Sequence, residues 1–308
     1  MSNSFDIIVI GGGIAGLTAG REAAKLGRST LVLTGNTLGG HLLSIESVEN
    51  WPAQPEGIPG YDLCPIAQEE AADAGAQFEM IEADSLTPEG DRWSVSAGGS
   101  KYAAGALILA TGTSLKKLGV LGEESYEGRG VSHCASCDAP MLRGKDVVVV
   151  GGGDSALQET LALLGPAAKI TVVTEGGGLA AQPHFVEQVT SSPKVSIKTG
   201  MRVTEILGNE GVTGVKLSDG SELPCASVFV FPGLTAQAGL AEGLATLDSA
   251  GAIQADASMR TSARGLFAAG TVRSGSIFRA AASAEEGATA ARAAHGYLLD
   301  GTWPPAAI

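Results

Sequence analysis

The chain has 308 residues, room for two domains at roughly 100 to 200 residues each and for a sizeable buried core. Apolar residues make up 44% and charged residues 17%, which excludes a disordered or fibrous chain. Lys and Arg number 20 against 33 Asp and Glu, a net charge of −13 without a basic run, which argues against nucleic acid as a partner. Gly supplies 44 residues with no Gly-X-Y period, so the excess belongs in turns and close backbone approaches.

Phe5 to Ile10 is a short β-branched run that ends in Gly11-Gly12-Gly13, and an Ala/Glu/Lys-rich stretch from Ile14 to Leu26 follows. This predicts strand, tight turn and helix, and Ser29 to Thr34 adds a second strand. Such a βαβ unit belongs to a parallel, doubly wound sheet. Ala106 to Ala110 reads as a further buried strand leading into Thr111-Gly112. The first pattern then returns: strand Asp146 to Val150, Gly151-Gly152-Gly153, helix Ser155 to Leu164, strand Lys169 to Thr174. The uncharged stretch from Leu223 to Ala241 is broken by Pro224, Pro232, Gly233 and Gln237, so it does not predict a membrane span. No basic segment and cleavage site mark a leader at the N-terminus, and the expectation is a cytoplasmic protein. Near the end come Gly265 to Gly270, a small-residue helix from Phe278 to about Leu299, and Trp303-Pro304-Pro305 as a tail.

Gly11, Gly13 and Gly16 match G-x-G-x-x-G, and Gly151, Gly153 and Ala156 match its G-x-G-x-x-A form. The first glycine makes the turn, the second admits a diphosphate to the backbone, and the third lets helix and strand pack closely. One copy alone is also what an ordinary strand-to-helix turn shows. Two copies, each inside a βαβ unit, imply two dinucleotide sites. The acid expected on a ribose is absent from the first unit, where Thr34-Gly35 occupies its place. In the second it is Glu175, followed by Gly176-Gly177-Gly178. A carboxylate there suits NADH and repels the 2′-phosphate of NADPH, although a solvated turn residue would look the same.

The chain has four cysteines, Cys64, Cys134, Cys137 and Cys225. Neither Cys64 nor Cys225 has a ligand neighbour at metal-site spacing, so no metal site is expected. Cys134-Ala-Ser-Cys137-Asp138 supplies what disulfide exchange needs: an attacking thiolate, a resolving thiol and a proton-carrying group. His133 is a candidate base beside it, or a structural loop residue.

With these motifs in order, the chain resembles the low-molecular-weight thioredoxin reductases, flavoproteins of the pyridine nucleotide-disulfide oxidoreductase class. The resemblance rests on Gly11 to Gly16, Gly39-Gly40-His41, Val48-Glu49-Asn50-Trp51-Pro52, Ala110-Thr111-Gly112, the run from Gly128 to Asp138, Gly151 to Ala156, and Gly265 to Gly270. It implies an α/β fold of two Rossmann-like three-layer domains, the second inserted into the first. FAD would bind 1–117 and 245–308, and 118–244 would form a nucleotide-binding-like domain carrying the cysteine pair. The implied FAD contacts are Gly11, Gly13, Ile14, Ala15, Gly16, Thr34, Gly40, His41, Asn50, Ala110, Thr111, Gly112, Gly270, Thr271, Arg279, Ala280 and Ala281. Gly151, Gly153, Ala156 and Glu175 would serve a pyridine nucleotide. Cys134 would attack the external disulfide, Cys137 would face the flavin, and Asp138 would donate the proton. Trp51-Pro52 and Trp93 would cover the core edge, the last helix would pack beside the flavin, and a homodimer is expected.

Departures from the family pattern bear on the electron donor. The His-Arg-Arg-x-x-x-Arg run that grips a 2′-phosphate in the family is here Thr174, Glu175, Gly176 and Ala180. Thr271 replaces the family aspartate after Ala-Gly, Arg279-Ala280-Ala281 lacks the usual glutamine, and His41 stands where glutamine is common. The expectation is an FAD-dependent dithiol/disulfide oxidoreductase whose donor is NADH or a ferredoxin-like protein, and whose partner is a thioredoxin-like protein or a small-molecule disulfide. Two alternatives are a dithiol oxidase passing electrons to oxygen and a non-catalytic redox-sensing flavoprotein.

Overall fold

The computed structural model describes residues 3–49 and 51–303. Asn50, expected near the flavin, lies outside the described residues, as do Pro304 and Pro305 of the expected tail. In chain order the first elements are β1 (Ser4–Ile10), α1 (Ile14–Lys25), β2 (Thr30–Leu33), α2 (Gly60–Asp73), β3 (Gln77–Glu79), β4 (Ala83–Glu89), β5 (Arg92–Ala97) and β6 (Ser100–Leu109). Next come β7 (Thr113–Leu115), β8 (Val131–Ser132), α3 (Ala135–Asp138), β9 (Asp146–Val150), α4 (Asp154–Leu163), β10 (Lys169–Thr174), α5 (Pro183–Ser191) and β11 (Val195–Thr199). They are followed by β12 (Val203–Gly208), β13 (Val212–Leu217), β14 (Glu222–Pro224), β15 (Ser227–Val230), β16 (Leu234–Ala236), β17 (Leu266–Ala268) and α6 (Ala280–Asp300). The chain divides into two units, 1–114 with 235–308, and 115–234.

In the first unit the sheet runs β3-β2-β1-β6-β5-β4, with β17 also on β6. β1, β2, β3, β6 and β17 are parallel, and β4 and β5 form an antiparallel extension. The ten residues of β6 serve two neighbours on one side: Ser100 to Ala104 pair with β5, and Leu107 to Leu109 pair with β17. β1 and β6 read as near-continuous apolar runs because both sheet faces are covered. One face packs on the small side chains of α1 and α6, including Ala15, Ala19, Ala290 and Ala294. The other packs on a layer with Trp93, Val95 and Tyr102, joined by Ala238 and Ala241. Residues 235–244, placed with the middle segment by the sequence reading, therefore pack in this unit, because Ala238 and Ala241 are buried in its core.

The second unit repeats the plan. Its parallel sheet runs β11-β10-β9-β15-β8, and β12-β13-β14 form a separate antiparallel sheet. Val147, Val149 and Phe229 point to a core with Leu157 and Leu163 of α4, while Val148, Val150 and Val228 pack toward Val203, Val215 and Leu217. The fold is thus two Rossmann-like α/β units, the second inserted into the first.

Two local expectations change. The last helix starts at Ala280 rather than Phe278, because Phe278 has φ 52° and Arg279 is extended. Trp303 is no free tail: its ring meets Phe267 at 5.1 Å and Tyr297 at 5.4 Å, both edge-on. Trp93 does sit in the core, with its Nε1 donating to Arg264 O at 3.2 Å. Among the described residues no helix is long and apolar enough to cross a membrane.

Candidate active site

Gly11 leaves β1 with φ 122°, and a Cβ there would stand 2.2 Å from Ala110 O. At Gly16 a Cβ would meet Gly11 O at 1.9 Å, so the turn and the helix approach need glycine at both positions. Gly13 is different: a Cβ there meets nothing within 4 Å. It is the N-cap of α1, which has no side-chain cap and no acid in its first turn, and Ile14 and Ala15 just beyond are buried. Open space in front of unsatisfied helix N–H groups is the setting a diphosphate needs.

Other segments close around this loop. Gly39 N–H donates to Gly12 O at 2.8 Å, and Gly40 lies beside Gly13, which brings His41 to the rim. Desolvation by burial lowers the His41 pKa. Thr34 walls Gly12, while its hydroxyl donates to Gly35 O and Glu79 O. Ala110 N–H donates to Ile10 O, Thr111 Oγ1 donates to Gln237 O at 2.7 Å, and Gly112 O accepts from Gln237 N. Gly270 abuts Ala15, and Thr271 Oγ1 lies 3.3 Å from Thr113 Oγ1. Arg279 caps α6, Ala280 and Ala281 begin it, and Gly287 packs so closely that a Cβ would stand 2.1 Å from Ala15 O. The expected residues of the first unit thus come together around α1, Asn50 lying outside the described residues. The open backbone at Gly13 before the α1 N-terminus fits an FAD diphosphate.

Sequence reasoning missed three polar groups here. Glu286 accepts from Gly270 N–H at 2.8 Å and pairs with Arg273, both side chains being largely buried. The backbone N–H and carbonyl of Gln237 fix the Thr111-Gly112 turn. Glu82, hydrogen-bonded to Asn36 at 2.8 Å, has its Cγ 3.7 Å from where a Cβ on Gly35 would stand, so a carboxylate reaches the end of β2 from the loop between β3 and β4. None follows a local pattern, since each pairs across many residues.

The second loop copies the first. A Cβ on Gly151 would meet Phe231 O at 2.1 Å, Thr174 walls Gly152, and a Cβ on Gly153 meets nothing within 4 Å. Gly151 N–H donates to Val173 O as Gly11 N–H does to Leu33 O, both at 2.8 Å. Ala180 N–H donates to Gly152 O at 2.7 Å, and Asp154 accepts from Gln182 N and Nε2, so residues 175–182 fold back along the loop. Ala156 is buried behind Gly151, and Glu175 is exposed. That segment contains no Lys or Arg.

Cys134 and Cys137 form a disulfide with Cα atoms 5.4 Å apart. Cys134 is extended and half-buried at the start of α3; its Sγ accepts from Cys137 N at 3.3 Å. Cys137 is exposed, and Asp138 ends α3 half-buried. Ser132 Oγ accepts from Cys134 N at 3.2 Å, and Ala135 N–H donates to Glu159 of α4 at 2.5 Å. His133 sits between Val230 O at 3.1 Å from Nδ1 and Glu127 at 3.4 Å from Nε2. Cys64 and Cys225 are buried, and burial pushes their thiols up to about 11 and about 12. Such thiols are poor nucleophiles. Among the described residues no three His, Cys, Asp or Glu side chains are grouped to hold a metal ion.

The pyridine nucleotide-disulphide oxidoreductase family model matches residues 5–288. A thioredoxin reductase of Treponema pallidum is 36% identical over 303 residues, covering 97% of this chain and 98% of its own. The thioredoxin reductase of Lactococcus lactis superposes with a TM-score of 0.91 at 29% identity, over 96% of this chain and 99% of that one. A ferredoxin-flavin thioredoxin reductase from Clostridium acetobutylicum gives a TM-score of 0.53 at 29% identity, over 96% and 98%. The chain belongs to the pyridine nucleotide-disulphide oxidoreductase family. It is an FAD-dependent, thioredoxin reductase-like disulfide oxidoreductase.

Proposed function

We propose that this enzyme reduces the disulfide of a thioredoxin-like protein or of a small molecule, and that its electrons come from a donor other than NADPH. The observation that carries the second half is the segment over the second glycine loop. Residues 174–182 turn back on Gly151–Gly153 without one basic side chain, and Glu175 stands where a 2′-phosphate would need a cation. The donor is NADH, with Glu175 accepting from a ribose hydroxyl, or a ferredoxin-like protein, as in the name of the Clostridium acetobutylicum relative.

In this reading Gly11, Gly13, Gly16, Ile14 and Ala15 receive the FAD diphosphate, and Thr34, Gly40, His41, Ala110–Gly112, Gly270, Thr271 and Arg279–Ala281 border the rest of it. Gly151, Gly153, Ala156 and Glu175 form the pyridine nucleotide loop. FAD supplies a two-electron carrier when bound. The chain's own part of the exchange falls to Cys134 as the thiolate that attacks the external disulfide, Cys137 as the thiol that resolves the mixed disulfide, and Asp138 as the proton donor. The buried, high-pKa Cys64 and Cys225 take no part. The protein works in the cytoplasm as a homodimer.

An anaerobic titration of the FAD-loaded protein, followed by flavin absorbance, tests the donor. Bleaching by NADH and not by NADPH is expected for a working Glu175. Bleaching by neither, with reduction by a reduced ferredoxin, favours the second donor. Rapid bleaching by NADPH overturns the reading.

A further inference from the structure

Glu159 lies on α4, six residues beyond Gly153, and its Oε2 accepts from Ala135 N–H at 2.5 Å. That N–H belongs to the peptide directly after Cys134. The neighbouring donor, Cys137 N–H, points at Cys134 Sγ at 3.3 Å. One carboxylate from the nucleotide-loop helix is therefore bonded into the turn that carries the redox sulfurs. Of the ionisable groups next to the cysteines, His133 faces Val230 O and Glu127, and Asp138 ends α3.

We propose that Glu159 is a positioning residue for the redox reaction: its carboxylate fixes the Cys134–Cys137 turn, and its negative charge disfavours the reduced pair and so keeps that pair strongly reducing. Reduction breaks the Sγ–Sγ bond and takes up two electrons and one proton, leaving a thiolate on Cys134 and a thiol on Cys137. In the working enzyme reduced FAD would supply the electrons, which pass on to the external disulfide. That Cys134 thiolate is the anion that attacks the external disulfide. The disulfide has no charge for Glu159 to repel, whereas the thiolate does, so the carboxylate raises the reduced state relative to the oxidised one. A pair whose reduced state is less stable surrenders its electrons more readily, the inverse of dithiols that are strong oxidants because their reduced form is stabilised. The half-buried position of Glu159 limits screening by water. The hydrogen bond alone would need only a neutral acceptor, which makes charge and position separable.

The inference rests on the Cys134–Cys137 pair being the redox couple, and the test keeps the two apart. FAD-loaded wild type, E159Q and E159D are equilibrated anaerobically with graded ratios of reduced to oxidised dithiothreitol, quenched with an alkylating agent and read by mass as thiols gained on Cys134 and Cys137. Gln keeps an acceptor for Ala135 N–H without the charge, and Asp keeps the charge. E159Q is expected to become reduced at a ratio about 3- to 10-fold lower than wild type, a difference of up to one decade in equilibrium. E159D is expected to stay within about twofold of wild type on the same scale. An E159Q midpoint equal to wild type, or E159Q and E159D displaced together, overturns the role of the charge. Should E159Q fail to fold, the E159D midpoint still decides, because displacement of that variant alone contradicts the proposal. A wild-type pair that stays oxidised across the whole range overturns the reading of the pair as the couple, and this proposal with it.

Discussion

Glu286 and Gly270 are joined by a hydrogen bond of 2.8 Å from the Gly270 N–H, while the other carboxylate oxygen of Glu286 binds Arg273. The glycine that turns toward Thr271 is therefore held by α6, sixteen positions further along the chain. Glu286→Ala would leave the Arg273 guanidinium largely buried without its counter-charge, together with an unpaired N–H. Breaking such a pair from one side costs about 3–5 kcal/mol. A fall in melting temperature of the FAD-free protein is the expected outcome, larger than for Glu286→Gln, which loses the charge but keeps an acceptor for the Gly270 N–H.

The glycines of the first loop divide into two kinds. Gly13 has open space and φ −79°, so Gly13→Ala fits the fold, but its methyl group enters the region of the diphosphate. Unchanged chemical stability with FAD affinity about tenfold weaker or worse is expected, read by flavin fluorescence. Gly11→Ala places a Cβ against Ala110 O at φ 122°, and is expected to cost about 2–4 kcal/mol before any cofactor is added. Equal effects of the two substitutions on stability would contradict this division.

Glu82 offers a test of adenosine recognition in the first unit. Its carboxylate stands near Gly35, where the sequence lacks an acid, and is bonded to Asn36. Glu82→Ala is expected to weaken FAD binding by about 1.5–3 kcal/mol, the scale of a lost hydrogen bond to a charged group. FMN, which has no adenosine, should bind the variant and the parent alike.

Alkaline stability follows from the two buried thiols. Their folded values, about 11 for Cys64 and about 12 for Cys225, exceed the ordinary 9.0. Below pH 9 both states are protonated and the stabilising burial is complete. Above it the unfolded thiols ionise first, so stability falls as pH rises from about 9 toward the folded values. Denaturant unfolding between pH 8 and pH 11 should show that decline, and Cys64→Ala with Cys225→Ala should flatten it. Native alkylation of the reduced protein at pH 8 should label Cys134 and Cys137 while sparing the other two.

What the sequence made legible was what repeats locally. Strands β9 and β10 have the predicted ends, Asp146–Val150 and Lys169–Thr174, because unbroken apolar runs bounded by glycine and charge leave little choice. The glycine loops were equally plain, since only glycine satisfies the contacts with Ala110 O and Phe231 O. The antiparallel β12-β13-β14 sheet has more polar strands, two of them containing glycine, and gave no comparable signal. Glu159 and Glu286 were invisible for a different reason: each is a single polar side chain whose backbone partner lies 24 or 16 positions away. Trp303 read as tail because proline follows it, and only the rings of Phe267 and Tyr297 reveal its anchor.

The insertion of one unit into the other sets an order of events during synthesis. Residues 115–234 hold every strand and helix of their unit, so that unit is complete once they have left the ribosome. The first unit is not: the outer edge of β6 waits for β17, and the small-residue face of α1 stays bare until α6 arrives with Gly287 against Ala15. For more than 150 residues of elongation a nascent half-sheet has apolar surface to hide. The surroundings of the Gly11–Gly16 loop are therefore completed last, after the turn that carries Cys134 and Cys137.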